Sequence, residues 1–333
     1  MKELRGAKLW ITIGLVALSC LPALVVENNY LLQVCFRIAL FAALGLAWNL
    51  VGGYAGQLSL GHVAFFGLGA YGLAILASHS VPVPIAVLIA SLLATLVAAL
   101  IGKIVFRLRG PYFTLATIAC GEVLRLTATN LNITGGAIGL TVPTVFTGPM
   151  FWKLYYLSAV ALAAGCFLVN FWTANSRFGY YLMAIREDED TASAVGVDTA
   201  NYKLRSLLLS AFLTAMAGAL YGSAFQYIVP DNILTIDISV QMAIIAMLGG
   251  AGTLLGPIVG AILLLGASET FKTQFQESHL LIYGILIVLV VLFLPEGIVG
   301  GIEQLLRSRR KAAKPPAPTP NQSPAISAVE KGN

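Results

Sequence analysis

Apolar runs about twenty residues long recur along this chain, and no other feature limits its fold so tightly. They lie at about 9–26, 30–51, 63–78, 84–106, 111–129, 154–172, 204–228, 238–250, 254–268 and 280–299. A helix needs about twenty apolar residues to cross a hydrocarbon core ~30 Å thick. Only 11% of the 333 residues are charged, against 58% hydrophobic. Soluble domains carry charge at about a quarter of their positions, so that class is excluded. No ten-residue alternation of the kind a membrane β-barrel needs is present. The expected fold is an all-α polytopic membrane protein with about ten transmembrane helices, and eight as the lower bound. The spans at 63–78, 111–129, 238–250 and 254–268 are short or interrupted. Broken backbone at membrane depth requires cover by protein or by a water-filled cavity.

The positive charge reports topology rather than nucleic acid. With the N-terminus inside, sixteen of the twenty Lys and Arg residues fall in inside segments. Arg37, Arg125, Lys153 and Lys272 are the exceptions. That bias follows the positive-inside rule. It places both termini and the loop at 173–203 in the cytoplasm. The basic N-terminus followed by an apolar run resembles a signal peptide, but no A-x-A site follows. A retained first helix is expected. Cys20, Cys35, Cys120 and Cys166 sit far apart in apolar spans and suggest packed thiols, with no disulfide or metal pattern. The expected organisation is a transmembrane domain at 1–305 and a basic, Pro-rich tail at 306–333. The tail has too little apolar surface to fold. Arg307, Arg309 and Arg310 are placed to meet anionic lipid headgroups.

Two glycine-rich stretches interrupt the apolar pattern. GGYAGQLSLGHVAFFGLGAY begins at Gly52 and includes Gly53, Gly56 and Gly61; GGAGTLLGPIVGAILLLGA begins at Gly249 and includes Gly250, Gly252 and Gly256. With one-residue gaps both run GG, AG, Leu, LG, GA, which suggests an internal duplication. Two readings stand: helices broken to line a pathway, or helices packed closely through glycine.

Catalytic chemistry has little to stand on. His62, His79 and His279 are scattered, and no HExxH, GxSxG or phosphate-loop motif occurs. The chain is not expected to be an enzyme or to hydrolyse ATP alone. Arg37, Glu122 and Arg125 lie in or near apolar spans, each at ~3 kcal/mol on the insertion scale. Glu122 and Arg125 are three apart on one helix face. They either fix a helix near the outer membrane face or line a pathway.

The remaining feature is the polar island from Ser176 to Lys203. It holds Glu187, Asp188, Glu189, Asp190 and Asp198, five of the fifteen carboxylates. A surface helix over about 184–197 is expected, offered to a soluble partner. Ala192, Val195 and Gly196 would share one face, with Arg186, Glu187 and Asp190 on the rest.

This island resembles the cytoplasmic coupling segment of ATP-binding-cassette importer permeases. The family pattern of Glu-Ala-Ala, three residues, then Gly appears as Asp190-Thr191-Ala192, Ser193-Ala194-Val195, Gly196, with two departures. The longer run from Ile185 to Gly222 and both glycine stretches are similar to the branched-chain amino acid permease family, M-type, over about 30–300. The resemblance implies a permease subunit of an importer for leucine, isoleucine and valine in the bacterial inner membrane. It implies a homologous second permease, two ATPase subunits that use the ATP, and a periplasmic binding protein. It implies coupling through Ala184, Arg186, Glu187, Asp190, Ala192, Val195 and Gly196. Related permeases serve urea, amides or other amino acids, and the motifs do not separate these. A transporter driven by an ion gradient remains the rival class.

Deleting the residues after Lys314 should leave uptake nearly normal; loss of assembly on truncation would instead show that the tail binds a partner.

Overall fold

A computed structural model describes residues 28–275, together with 284, 288 and 297–301. The expected span at 9–26, most of that at 280–299, and the tail at 306–333 lie outside the described residues.

Helix α1 (Asn29–Asn49) begins at Asn28, whose side chain accepts from the Tyr30 N–H. It continues into a single π-helical turn, Leu50–Tyr54. Then come α2 (His62–Ser78), α3 (Val83–Val105) and α4 (Pro111–Asn130). Pro84 and Pro111 occupy first-turn positions, where proline's missing N–H costs nothing. After α5 (Phe151–Ala174) the chain makes two short helices, α6 (Arg177–Glu187) and α7 (Glu189–Ala194). The longest helix, α8 (Thr199–Phe225), follows, then α9 (Pro230–Ile233), α10 (Ile236–Gly249) and α11 (Gly256–Phe275). Two-residue strands β1 (Leu140–Thr141) and β2 (Tyr227–Ile228) pair antiparallel, with Leu140 opposite Ile228.

Among the described residues, five helical stretches are long and apolar enough to cross a membrane: 29–54, 83–105, 151–174, 199–225 and 230–249. Helix α2 is apolar but shorter. The ten expected spans are therefore not all matched by membrane-length apolar helices. Helix α4 falls short because Glu122, Arg125 and five threonines or asparagines dilute its apolar content.

Helix α1 is the hub. Every residue from Leu40 to Leu50 is buried, and α5, α8, α10 and α11 pack around it. Helix α3 shows why the sequence packs this way. Ala86, Ala90, Ala94, Ala98 and Gly102 recur every fourth residue and are buried against α2 and α8. Leu88, Leu92, Leu96, Leu100 and Ile104 form the opposite, exposed stripe. Small residues inward let backbones approach; large ones outward suit lipid. Helix α2 crosses α8 closely: a Cβ at Gly69 would lie 2.0 Å from the Ala215 carbonyl oxygen and one at Gly218 would lie 2.0 Å from that of Phe66.

Gly69→Val or Gly218→Val should destabilise the fold by at least ~1–3 kcal/mol, seen as a lower melting temperature in detergent. Gly165→Ala, with open space around it, should be neutral or stabilising by ~0.5 kcal/mol.

Candidate functional site

The polar segment between α5 and α8 is built by three side-chain caps. Ser176 Oγ accepts from the Gly179 N–H at 3.3 Å and starts α6. Asp188 is extended, at φ −158° and ψ 113°, and ends α6. Its Oδ1 accepts from the Thr191 N–H at 2.6 Å and starts α7. That backbone bond holds the Asp188 carboxyl below the usual carboxylate range. The cap is therefore intact above ordinary carboxylate pKa values and is lost as pH falls through the depressed one. Helix α7 closes with Gly196 at φ +88°, where the Gly196 N–H donates to Ser193 and the Val197 N–H donates to Ala192. This is the glycine-terminated helix stop. Asp198 then caps α8 through the Asn201 N–H at 3.1 Å.

The single helix expected over about 184–197 is therefore two helices with a corner at Asp188. An aspartate that captures a backbone N–H competes with helix continuation. The shared face expected for Ala192, Val195 and Gly196 is also corrected. Ala192 is 4% exposed and Val195 is 76% exposed, because α7 ends at Ala194 and helical spacing no longer applies. Ala184, Glu187 and Asp190 are exposed. Asp190 pairs with Arg109 at 2.7 Å, tying α7 to the turn before α4. Lys203 is buried and meets Glu189 at 2.5 Å, while the Thr199 hydroxyl donates to the same carboxylate at 3.2 Å.

Arg186 is exposed, but its guanidinium turns back on the bundle. Its Nη1 donates to the Gly53 carbonyl oxygen at 2.7 Å and reaches that of Ala251 at 3.4 Å. Those carbonyls belong one to each glycine-rich stretch, so the two stretches meet at this point. A Cβ at Gly53 would lie 2.5 Å from the Gly252 nitrogen, and one at Gly252 would lie 2.4 Å from Arg186 Nη1. Asn49 joins the same two stretches. Its Oδ1 accepts from the Gly252 N–H at 2.7 Å, and its Nδ2 donates to the Thr253 carbonyl at 3.1 Å and to Asn170 Oδ1 at 3.2 Å. Gly56 and Gly252, at φ +66° and +82°, take the same left-handed turn at matching places in the two copies.

Close neighbours crowd most of the nominated glycines. A Cβ at Gly52, Gly61, Gly249 or Gly256 would meet another atom within 2.6 Å, and one at Gly250 within 3.2 Å. Gly56 borders an open groove of about 430 Å3, closed on its other side by Gly110, Pro111, Thr114 and Leu115.

Side chains from α5 and α8 donate to carbonyls where α1 passes into the π turn. Asn170 Nδ2 donates to Leu46 at 2.9 Å, Ser210 to Ala47 at 2.6 Å, and Ser206 to Leu50 at 2.7 Å. His62 lies buried between Ser59 and Ser210, at 3.0 and 2.8 Å. It is a structural link in this chain of hydroxyls. Among the described residues no group of His, Cys, Asp and Glu is placed to hold a metal.

The nominated membrane charges form two separate sets. Arg125 bonds Glu122 at 2.6 Å and also Asp231 of α9. Arg37 is half-buried on α1, within electrostatic reach of Tyr30, Tyr221 and Glu269. Glu269 accepts from the Tyr30 hydroxyl at 2.7 Å.

Residues 30–291 match the family described as branched-chain amino acid transport system / permease component. The chain belongs to this family. Its relatives include the high-affinity branched-chain amino acid transport system permease protein LivM of Escherichia coli, 28% identical over 83% of this chain and 71% of the relative. LivM of Salmonella typhimurium is 27% identical over 92% and 78%. LivH of Escherichia coli is 26% identical over 51% and 58%. No solved structure matches the chain. A multi-pass membrane protein is what the family and the apolar helices describe.

Several residues that hold this permease's junction together escaped the sequence reading. Asn49 and Asn170 are lone amides in apolar runs, and that isolation was the available signal. Asp231 carried none, since only α9 brings it to Arg125. Lys203 was counted as a loop charge, yet it is buried.

Glu189→Gln should strand the Lys203 ammonium and cost ~3–5 kcal/mol, read by thermal unfolding in detergent. The Glu189→Leu/Lys203→Met double variant should recover most of that loss.

Proposed function

We propose that this permease is the membrane-spanning subunit of an ATP-driven importer for branched-chain amino acids. The observation that carries the reading is the polar helix pair α6–α7, which stands outside the apolar bundle yet reaches both glycine breaks through Arg186. Separate ATPase subunits bind and hydrolyse the ATP and press on this pair. The exposed surface of Ala184, Glu187, Val195 and Gly196 offers them a small apolar and acidic patch. Both termini and α6–α7 face the cytoplasm in this reading, which the distribution of Lys and Arg supports. A binding protein delivers substrate to the opposite face.

A homologous second permease completes the pathway. Matches to both LivM and LivH of one organism support two related permease subunits in such a system. Helix α4 is the face that would meet it. Tyr112, Leu115 and Val123 are exposed there beside Glu122, whose side chain is 50% exposed. A carboxylate that open, near the middle of a helix, is incompatible with hydrocarbon. The leucine stripe of α3 has no such charge and is suited to lipid. A gradient-driven transporter would need a free acid at depth, and Glu122 is already engaged by Arg125.

The test is uptake of labelled leucine by the full complex in proteoliposomes. Uptake should require ATP and the binding protein, compete with valine but not urea, and ignore a protonophore. Uptake that collapses with the protonophore and is indifferent to ATP would overturn the reading.

A further inference from the structure

We infer that Arg186 is an internal positioning residue, a tie that transmits displacement of α6–α7 to both glycine breaks at once, rather than a contact for the ATPase subunits. The inference deepens the importer reading above and rests on it for the source of the displacement.

The geometry carries the assignment. Arg186 lies in the last turn of α6, two residues before the corner at Asp188. Arg186 is exposed like its neighbours Ala184 and Glu187, but its guanidinium is directed back at main-chain oxygens of Gly53 and Ala251. Gly53 lies in the π turn that ends α1. Ala251 lies in the turn between α10 and α11. One guanidinium nitrogen, Nη1, meets both carbonyls, and its charge is permanent. The fit is close on the glycine side: a Cβ at Gly56 would come within 2.8 Å of Arg186 Cγ, and one at Gly252 within 2.4 Å of Nη1.

Asn49 already holds the two breaks to each other, through Gly252 and Thr253. Arg186 adds the third body, the outer helix pair. Buried Leu182 and Ile185 seat α6 on the bundle, and the Lys203–Glu189 pair seats α7. Leu182 also shares an apolar cluster with Tyr54, Ala55, Leu254 and Leu255, so apolar packing lies beside the polar tie. Among the described hydrogen bonds, the guanidinium is the polar link from α6–α7 to both breaks.

The experiment compares wild type, Arg186→Ala and Arg186→Lys in two readouts. The first is amide hydrogen exchange of the detergent-purified permease. It needs no partner, so it tests the tie even if the importer reading fails. Arg186→Ala should speed exchange in both glycine stretches, near residues 53–57 and 250–254, and leave the middle of α3 unchanged. The second is substrate moved per ATP hydrolysed by the reconstituted complex. Arg186→Ala should keep the ATPase subunits and their hydrolysis while uptake per ATP falls about ten-fold, the scale of one lost charge-assisted bond. Arg186→Lys should recover part of it. Unchanged exchange at either stretch, unchanged uptake per ATP, or loss of the ATPase subunits from Arg186→Ala with exchange intact would each overturn the inference. If wild type itself shows no ATP-driven uptake, the importer reading falls and exchange alone decides the tie.

Discussion

A broken helix inside an apolar chain leaves main-chain carbonyls and N–H groups that water cannot reach, and this fold is arranged around satisfying them. At the end of α1 and the start of the π turn, the carbonyls of Leu46, Ala47 and Leu50 accept from the side chains of Asn170, Ser210 and Ser206. An unanswered polar group at that depth costs several kcal/mol. The hydroxyls and amides that look misplaced on α5 and α8 are therefore what permits α1 to break. The closeness of α1 to α5 and α8 follows from the same need, since short side chains have to reach a neighbouring backbone.

The close crossings serve the same end. Glycine and alanine stripes on α2, α3, α8 and α11 bring the helix axes near enough for serine and asparagine to span the gap. Leucine and isoleucine then collect on outer faces, where bulk is tolerated. Polar satisfaction and tight packing are two results of one distribution of small residues.

Much of this was legible before any coordinates. The apolar runs located most of the described long helices within a few residues, because ~30 Å of hydrocarbon imposes a length that local sequence has to meet. The glycine stretches marked both breaks. The corner at Asp188 was not legible: aspartates are common in polar surface helices, and only the captured Thr191 N–H shows that this one ends a helix. Nor was the burial of Lys203, whose partner lies fourteen positions away across the helix stop at Gly196. Nor were the Arg186 bonds to Gly53 and Ala251, since spacing does not say which backbone an arginine at a helix end meets. The family match supports the global reading, while these local misses came from tertiary contacts.

The faint internal duplication now has a physical explanation. Arg186 lies between the two stretches in sequence, and its one guanidinium meets Gly53 of a π turn and Ala251 of an ordinary turn. What it senses is the gap between two main chains, not the side chains that decorate them. Divergence after duplication would then be free to rewrite most side chains in each copy but not the positions where a Cβ would widen that gap. The two stretches have this form, with a shared skeleton of glycines and little else in common. Their weak resemblance is the residue of a distance constraint.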